Sequence, residues 1–228
     1  YLASRAVSRA DRILTISDFS KSEIVNWFNI QPELITVIPL AADDCLASAS
    51  SPEDQEPLIL FVGSIFTRRH LPWLLSAFAR VLTRAPEARL AVIGSNRTYP
   101  FEHLGQLSKG LGIDDRVSID GWVDDKRLTS YYGRARVFAF LSEYEGFGLP
   151  PLEALAAGQS LVVLDTQVAR EVYGEAAIYA VPGDLDSIAN AIITGLNRTP
   201  RAVNHVIDRY SWRRTAELTL DVIESAAV

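Results

Sequence analysis

The stretch that decides the fold is residues 135–158, which read ARVFAFLSEYEGFGLPPLEALAAG. It begins with an apolar run that is typical of a buried strand. Gly146 and Gly148 follow, and glycine allows the backbone to adopt positive φ or to approach a ligand closely. Pro150 and Pro151 suit the first turn of a helix, where no amide donor is needed. The stretch therefore predicts a strand, a glycine turn and the N-terminus of a helix, which is a favourable place for an anion or a hydroxyl group.

The alternation of apolar strand and helix recurs along the chain. Further strands are predicted at residues 58–62, 89–93, 117–119, 160–164 and 177–181. This pattern predicts an α/β fold, a Rossmann-like parallel sheet with helices on both faces. Because ligands of such sheets bind beyond the carboxyl ends of the strands, we expect Gly63, Gly94, Gly121 and the turn at Glu145 to share one edge.

The chain is predicted to have more than one part. Residues 1–40 carry a short α/β series of their own, and residues 41–57 have the small, polar and proline-containing composition of a linker. The long α/β series occupies residues 58–209, and a terminal helix is predicted within residues 210–228. The first residues read as the middle of a helix and there is no methionine, so we expect a piece of a longer protein.

Composition narrows the class of protein. Of the 228 residues, 48% are hydrophobic and 22% are charged, which predicts a packed core rather than disorder. The net charge of −6 argues against a general nucleic-acid or anionic-membrane surface. The single cysteine, Cys45, excludes an internal disulfide and fits a reducing compartment. No apolar run has the length of a membrane span, and no histidine or cysteine cluster has metal-ligand spacing, so no metal site is predicted.

A loop with two arginines is the first candidate site. Gly63 and Ser64 follow the predicted strand at residues 58–62, and Arg68 and Arg69 precede the next helix. Arginine forks form paired, charge-assisted hydrogen bonds with phosphate oxygens, so the loop fits diphosphate binding. The alternative is a solvated basic surface, but the position of the loop on the shared edge favours function.

Two carboxylates beside the glycine turn form the second candidate. We expect Glu153 to accept hydrogen bonds from both ribose hydroxyls of a nucleotide. We expect Glu145 to contact the sugar of a bound sugar nucleotide. It would stabilise the positive charge that develops at the anomeric carbon of that sugar. The alternative for each is an acid that interacts with the dipole at a helix start, and this interpretation suits Glu143 and Glu175 better than Glu153.

The turn after the strand at residues 117–119 is the third candidate. Trp122 and Val123 could place their backbone against the edge of a base. A tight turn in which Trp122 packs is an equally good interpretation. No dinucleotide-binding glycine fingerprint opens any helix, which argues against a dehydrogenase.

Five stretches together resemble retaining glycosyltransferases of family four, which have the GT-B fold. The run EGFGLPPLEALAAG at residues 145–158 resembles the family's signature, with two glutamates separated by seven residues. Residues 61–72 are similar to the family's diphosphate loop, residues 10–21 and 37–39 to its run into the interdomain linker, and residues 210–216 to its C-terminal helix. The sequence departs from the family pattern in three places, with Ser64 in place of a usual arginine, Arg69 in place of a usual lysine, and Ser160 in place of a usual proline.

The resemblance implies a two-domain enzyme with its active site in the cleft between two Rossmann-like halves. Residues 58–209 would be the donor-binding half, residues 1–40 the tail of the acceptor half, and residues 210–228 a helix that crosses back to that half. Donor contacts are implied for Gly63, Ser64, Arg68, Arg69, Gly94, Trp122, Val123, Gly146, Phe147, Gly148, Leu149 and Glu153. Glu145 would be the catalytic residue, and the amides of residues 147–149 would hold sugar and phosphate oxygens.

The first hypothesis for function is transfer of a hexose, with retention of the anomeric configuration, to a glycan or a lipid-linked acceptor. The route is either front-face attack or a covalent intermediate, and the resemblance implies neither a metal nor a cofactor. GDP-mannose is the first candidate donor and a UDP-hexose the second. The acceptor and any membrane contact would involve the missing N-terminal half. The enzyme is expected in the cytoplasm, either free or peripherally on the inner face of the membrane. The alternatives are a sugar-nucleotide-binding module without activity and, third, a sugar-nucleotide epimerase.

Overall fold

The structure is a computed structural model that describes residues 2–42, 55–198 and 204–226. Most of the predicted linker, and with it Cys45, lies outside these residues. The described part contains a six-stranded sheet with helices on both faces, which confirms the predicted fold class, and a separate two-stranded sheet near the N-terminus.

The large sheet is parallel throughout and has the strand order β5-β4-β3-β6-β7-β8. Its strands are β3 (Glu56–Val62), β4 (Arg89–Ile93), β5 (Val117–Asp120), β6 (Ala135–Phe140), β7 (Ser160–Leu164) and β8 (Ala177–Ala180). The central residues of β3, β4, β6 and β7 are almost fully buried, as expected when both faces of a parallel sheet are covered. The central residues of the edge strand β5 are exposed.

The order of the strands brings two particular loops together. From β3 the chain proceeds through β4 to β5 on one side, and then crosses to β6 and proceeds through β7 to β8 on the other. Strands β3 and β6 are therefore neighbours at the point where the direction of winding reverses. In open α/β sheets this switch point opens a crevice beyond the carboxyl ends of the strands, where ligands bind.

A helix follows each strand of the large sheet along the chain, and further helices lie toward both termini. The helices are α1 (Leu2–Val7), α2 (Asp18–Phe28), α3 (Leu71–Leu82), α4 (Leu104–Gly110), α5 (Asp125–Arg134), α6 (Leu149–Ala156), α7 (Gln167–Tyr173), α8 (Leu185–Asn197), α9 (Asn204–Ile207) and α10 (Trp212–Ala226). Asp124 caps α5 and Asp184 caps α8, and the carboxylate of each accepts from backbone amides of the first turn. Such caps satisfy amides that have no partner inside the helix.

Several predicted boundaries differ from those of the structure by one to three residues. Strand β3 begins at Glu56, two residues before the predicted start, because Glu56 pairs with Ala135 and a proline at position 57 is tolerated near the start of a strand. Helix α4 begins at Leu104 rather than at Phe101, and Phe101 is exposed.

The N-terminal segment contacts the large domain. It contains the parallel pair β1 (Ile13–Thr15) and β2 (Ile35–Val37), and α2 lies between these two strands in the chain. The carboxylate of Glu171 on α7 accepts hydrogen bonds from the amides of Asp18 and Phe19, at 2.7 and 2.9 Å, and so caps α2 from another part of the chain. The Thr215 hydroxyl on α10 donates to the Pro39 carbonyl at 2.6 Å. The predicted domain boundaries remain predictions.

Candidate donor-binding site at the switch point

The loops after β3 and β6 are joined directly at the switch point. The Glu143 amide donates to the Arg68 carbonyl at 3.0 Å, and Nε of Arg68 donates to the Tyr144 carbonyl at 3.0 Å. His70 stacks on Trp73, with 3.7 Å between ring centroids, and its Nε2 lies 2.9 Å from Oε1 of Glu143. The predicted phosphate loop and the predicted glutamate turn therefore form one continuous surface.

Glu145 lies at the centre of this surface. Its Oε1 accepts from Nε of Arg69 at 2.8 Å and from the Ser142 hydroxyl at 2.9 Å. Nη2 of Arg68 is 3.7 Å from the same oxygen. The structure thus unites three of the predicted site residues, Arg68, Arg69 and Glu145.

The two arginines differ in exposure. The Arg69 side chain is 12% exposed, and its Nη1 also donates to the Ser64 carbonyl at 2.8 Å. The Arg68 side chain is 39% exposed and lies over the Phe66 ring, 4.5 Å from its centroid. Arg69 is accordingly built into the loop, whereas Arg68 is the more exposed of the two and bonds the Tyr144 carbonyl.

Close packing of the β3 and β4 loops explains the glycine at position 94. Gly94 has a φ of 148°, and a Cβ built there would collide with the Gly63 carbonyl oxygen. The absence of a side chain lets the two loops lie against each other. A parallel bridge between Ile65 and Asn96 continues this contact beyond the strands.

The glycine turn has its carbonyl groups held by side chains from elsewhere. The Ser17 hydroxyl donates to the Gly146 carbonyl at 2.6 Å. The Tyr173 hydroxyl is 3.0 Å from the carbonyl oxygens of both Phe147 and Gly148. In a trans peptide the N–H points opposite to the C=O of the same unit. The amides of residues 147–149 therefore point away from these donors.

Glu153 contacts a different set of residues. Its Oε2 accepts from the hydroxyl of Tyr132 on α5 at 2.9 Å, and Tyr132 is fully buried. Burial and the nearby carboxylate raise the pKa of Tyr132 well above its usual value, so that its hydroxyl remains a donor. This bond holds one carboxylate oxygen of Glu153, the residue predicted to bind the ribose, in place.

A cavity of about 490 Å³ opens beside the carboxyl ends of β4 and β5. It is large enough for a nucleoside. Its lining includes Gly94, Phe101, Glu102, Lys109, Asp120 and Gly121. Burial raises the pKa of the Glu102 carboxyl, and Oε2 of this group has no hydrogen-bond partner.

The predicted base-contacting turn lies next to this cavity. The Trp122 side chain is 83% exposed, so the interpretation of Trp122 as a packed turn residue was wrong. Val123 is buried in the core, and its side chain is occupied there. A backbone contact of either residue with a base stays a prediction.

Sequence reasoning missed the residues that support the site from behind. Ser17, Tyr132, Ser142 and Tyr173 were not predicted, although each contacts a predicted site residue. Ser17 is also the N-cap of α2, where its side chain accepts from the Ser20 amide. A weak signal was available for Ser142, which stands three residues before Glu145 in the quoted stretch, but Tyr132 and Tyr173 lie in helices whose patterns indicate only packing.

Within residues 2–42, 55–198 and 204–226 there is no group of three or more histidine, cysteine, aspartate or glutamate side chains that could hold a metal ion. Across the same ranges, no helix combines the length and the apolar character needed to cross a membrane.

The fold and the switch-point site together define a class: a Rossmann-like domain of the GT-B type. Residues 56–198 match the family described as glycosyl transferases group 1. The matched segment is more than half of the chain, and the chain belongs to this family. The resemblance drawn from the sequence is thereby confirmed.

Curated relatives include mannosyltransferases. The chain is 30% identical over 202 residues to O-antigen chain mannosyltransferase B of Escherichia coli, a match that covers 84% of this chain and 53% of the relative. It is 28% identical over 237 residues to MMP alpha-(1->4)-mannosyltransferase of Mycolicibacterium hassiacum, covering 99% of this chain and 56% of the relative. The chain thus spans about half the length of the curated relatives that it matches.

Solved structures show the same fold. Sucrose-phosphate synthase from Thermosynechococcus elongatus superposes with a TM-score of 0.79 at 21% identity, covering 98% of this chain and 60% of that one. Anabaena HepE, solved in complex with UDP and glucose, has a TM-score of 0.79 at 19% identity, covering 99% of this chain and 66% of that one. At these identities the likeness concerns the fold.

Proposed function

We propose that this chain is the donor-binding half of a retaining hexosyltransferase. The enzyme would move a hexose from a nucleoside diphosphate sugar to a hydroxyl of a glycan or a lipid-linked acceptor. The observation that carries the proposal is the cluster of Arg68, Arg69 and Glu145 at the switch point, beside the outward-pointing amides of the glycine turn. It combines cations for a diphosphate with a carboxylate for the sugar.

The proposed reaction breaks the bond between the anomeric carbon and the diphosphate oxygen and forms a bond from that carbon to the acceptor oxygen. The acceptor hydroxyl gives up its proton, and the nucleoside diphosphate leaves with the electron pair. Negative charge grows on the diphosphate, where Arg68 would meet it. Positive charge grows at the anomeric carbon, where Glu145 stabilises it. Because the arginines and the amides offset the leaving-group charge, we propose that no metal ion and no cofactor is required.

Donor identity is inferred from the relatives. Two of the matched proteins are named as mannosyltransferases, so GDP-mannose is the first proposed donor, with a UDP-hexose as the second. Isothermal titration of the chain with GDP, UDP and ADP tests both. We expect one diphosphate to bind with an affinity at least tenfold above the others, and an absence of binding by all three at about millimolar concentration would overturn the assignment of the site.

The roles of the two glutamates are separable by kinetics in the full-length enzyme. Glu145→Ala is expected to lower turnover by about 10²–10³-fold, since it removes stabilisation of the transition state. Glu153→Ala is expected to weaken donor affinity by about tenfold with a smaller effect on turnover, since it removes a hydrogen bond to the ribose. Equal and small effects of both substitutions would reject these roles.

The chain alone is proposed to bind the donor without transferring the sugar. It spans about half the length of its curated relatives, and the acceptor is proposed to bind to the remaining half. A cytoplasmic location is part of the proposal, because nucleotide sugars are the substrates and the single cysteine fits a reducing compartment. A transfer assay with the 228-residue chain tests this point, and glycan elongation by the chain alone would contradict it.

A further inference from the structure

The turn that carries the predicted sugar and phosphate contacts is inherently free to change conformation. Gly146 and Gly148 stand on both sides of Phe147. A glycine removes the steric barrier that normally restricts rotation of the adjacent peptide planes. A peptide plane that rotates by half a turn would present a carbonyl oxygen to the ligand instead of an amide. Groups that bond the carbonyl oxygens of the turn therefore fix the direction of its amides. The Leu152 amide of α6 donates to the Gly148 carbonyl at 3.4 Å, and the other bonds come from side chains outside the turn.

Tyr173 at the end of α7 is placed to do this. Its side chain is 3% exposed, and its hydroxyl lies 3.0 Å from the carbonyl oxygens of Phe147 and Gly148. A single hydroxyl proton faces two successive carbonyl groups, so both peptide planes are directed toward the phenol. The paired N–H groups belong to Gly148 and Leu149, and they point away from it.

The surroundings keep the phenol a donor. Burial, together with the nearby charge of Glu145, raises the pKa of Tyr173 well above its usual value. The phenol therefore stays protonated at physiological pH. Gly148 completes the arrangement, because a Cβ at this position would collide with the Tyr173 hydroxyl.

We propose that Tyr173 is a positioning residue that holds the amides of Gly148 and Leu149 toward the donor, where they bind the distal phosphate and the sugar oxygens. This inference rests on the proposed function. It concerns the part of the donor beyond the first phosphate, and it assigns no contact between Tyr173 itself and the substrate. Loss of the hydroxyl should therefore weaken binding of a diphosphate and leave binding of a monophosphate unchanged.

A matched control stands close by in the same domain. The hydroxyl of Tyr179 also contacts two carbonyl groups, those of Gly174 at 2.6 Å and Ala169 at 3.2 Å. Both carbonyls belong to α7 and the turn after it, and neither belongs to the glycine turn. Tyr179→Phe removes the same chemical group from a comparable pair of bonds, so it reports the structural cost alone.

The experiment measures GDP and GMP affinity of the wild-type chain, Tyr173→Phe and Tyr179→Phe by isothermal titration, with UDP and UMP as the second pair. We expect Tyr173→Phe to weaken diphosphate binding by about tenfold, the effect of losing one well-placed hydrogen bond, while monophosphate affinity changes less than about twofold. Tyr179→Phe should leave both affinities within about twofold of wild type.

Each outcome decides a separate question. Unchanged GDP and UDP binding by Tyr173→Phe overturns the inference while the proposed function stands. The same conclusion follows if Tyr173→Phe loses monophosphate and diphosphate affinity equally. It also follows if Tyr179→Phe loses as much diphosphate affinity as Tyr173→Phe. Failure of the wild-type chain to bind any of the nucleotides overturns the proposed function together with the inference.

A measurement on the wild-type chain covers the case in which Tyr173→Phe does not fold. Hydrogen exchange of a peptide that spans residues 146–149 is followed with no nucleotide, with monophosphate and with diphosphate. The diphosphate alone should slow exchange of the Gly148 and Leu149 amides by about tenfold or more. Equal exchange in all three conditions contradicts the assignment of these amides to the distal phosphate.

Discussion

Replacing Gly148 with alanine tests the close approach of α7 to the glycine turn. Gly148 has a φ of 100°, and an alanine Cβ would collide with the Tyr173 hydroxyl. A side chain in this backbone region costs about 1–3 kcal/mol, and overpacking a filled site costs about 1–3 kcal/mol more. We therefore expect Gly148→Ala to lower the free energy of unfolding by about 2–6 kcal/mol. At about 2–4 °C per kcal/mol for a chain of this length, the melting temperature should fall by roughly 4–24 °C.

Substitutions at two other glycines separate the cost of backbone strain from the cost of overpacking. Gly105 lies in α4 with ordinary φ and open space around its Cβ position, so alanine there should stabilise the chain by about 0.5–1 kcal/mol. Gly112 has a φ of 69° and equally open space, so alanine there should cost about 1–2 kcal/mol through backbone strain alone. Urea denaturation measured under identical conditions supplies the three values.

The collision itself is isolated by a double-mutant cycle with Tyr173→Phe. The phenyl ring without its hydroxyl lies at ordinary contact distance from the new Cβ, 3.4 Å at the ring carbon that bore the oxygen. Gly148→Ala should therefore cost about 1–3 kcal/mol less in the Tyr173→Phe background than in the wild type. An equal cost in both backgrounds would refute the proposed contact between the hydroxyl and the turn.

Two further predictions concern buried polar groups of the site. Tyr132→Phe removes the hydroxyl that donates to Glu153, so donor affinity measured by calorimetry should fall about tenfold, since a hydrogen bond to a charged group contributes about 1.5–3 kcal/mol. Glu102 has a pKa raised by burial, so its charged form lowers the free energy of unfolding. This loss of stability disappears as the pH falls through the pKa of the folded state. Glu102→Gln should therefore raise the urea midpoint at about pH 8 and have little effect at about pH 4.

Each of these two predictions has its own control. Tyr131→Phe removes a neighbouring phenol that contacts Asp120 at 3.2 Å instead of Glu153, and an equal loss of donor affinity in this variant would contradict the role of Tyr132. Glu87 is exposed, so Glu87→Gln removes the same charge without relieving burial. A midpoint that rises as much in Glu87→Gln as in Glu102→Gln would show that net charge, not burial, is the cause.

Local pattern was sufficient for most of the fold. Short apolar runs indicated the strands of the large sheet, of which β3, β4 and β5 are followed by glycine, and α10 lies within residues 210–228, where a terminal helix was predicted. The errors occurred where local pattern competes with pairing. Glu56 joins β3 because Ala135 is available as its partner, and no feature of residues 55–57 alone reveals that partner.

The sequence by itself determined the class of the protein and its principal polar residues. A glycine turn between a buried strand and a helix, two glutamates and a pair of arginines are visible in short stretches, because each depends on residue types at close spacing. Their placement at one edge followed from the parallel topology, since the carboxyl ends of parallel strands meet at one edge.

Only the tertiary structure decided which groups touch. Arg69 and Glu145 are 76 positions apart in the chain and meet because β3 and β6 are neighbours at the switch point. The glycine turn likewise accepts hydrogen bonds from Ser17, which is 129 positions from Gly146, and from Tyr173, which is 26 positions from Phe147. A hydrogen bond depends on angstrom-scale distances between whole elements, and these distances follow from strand order and helix packing rather than from the local spacing of residues.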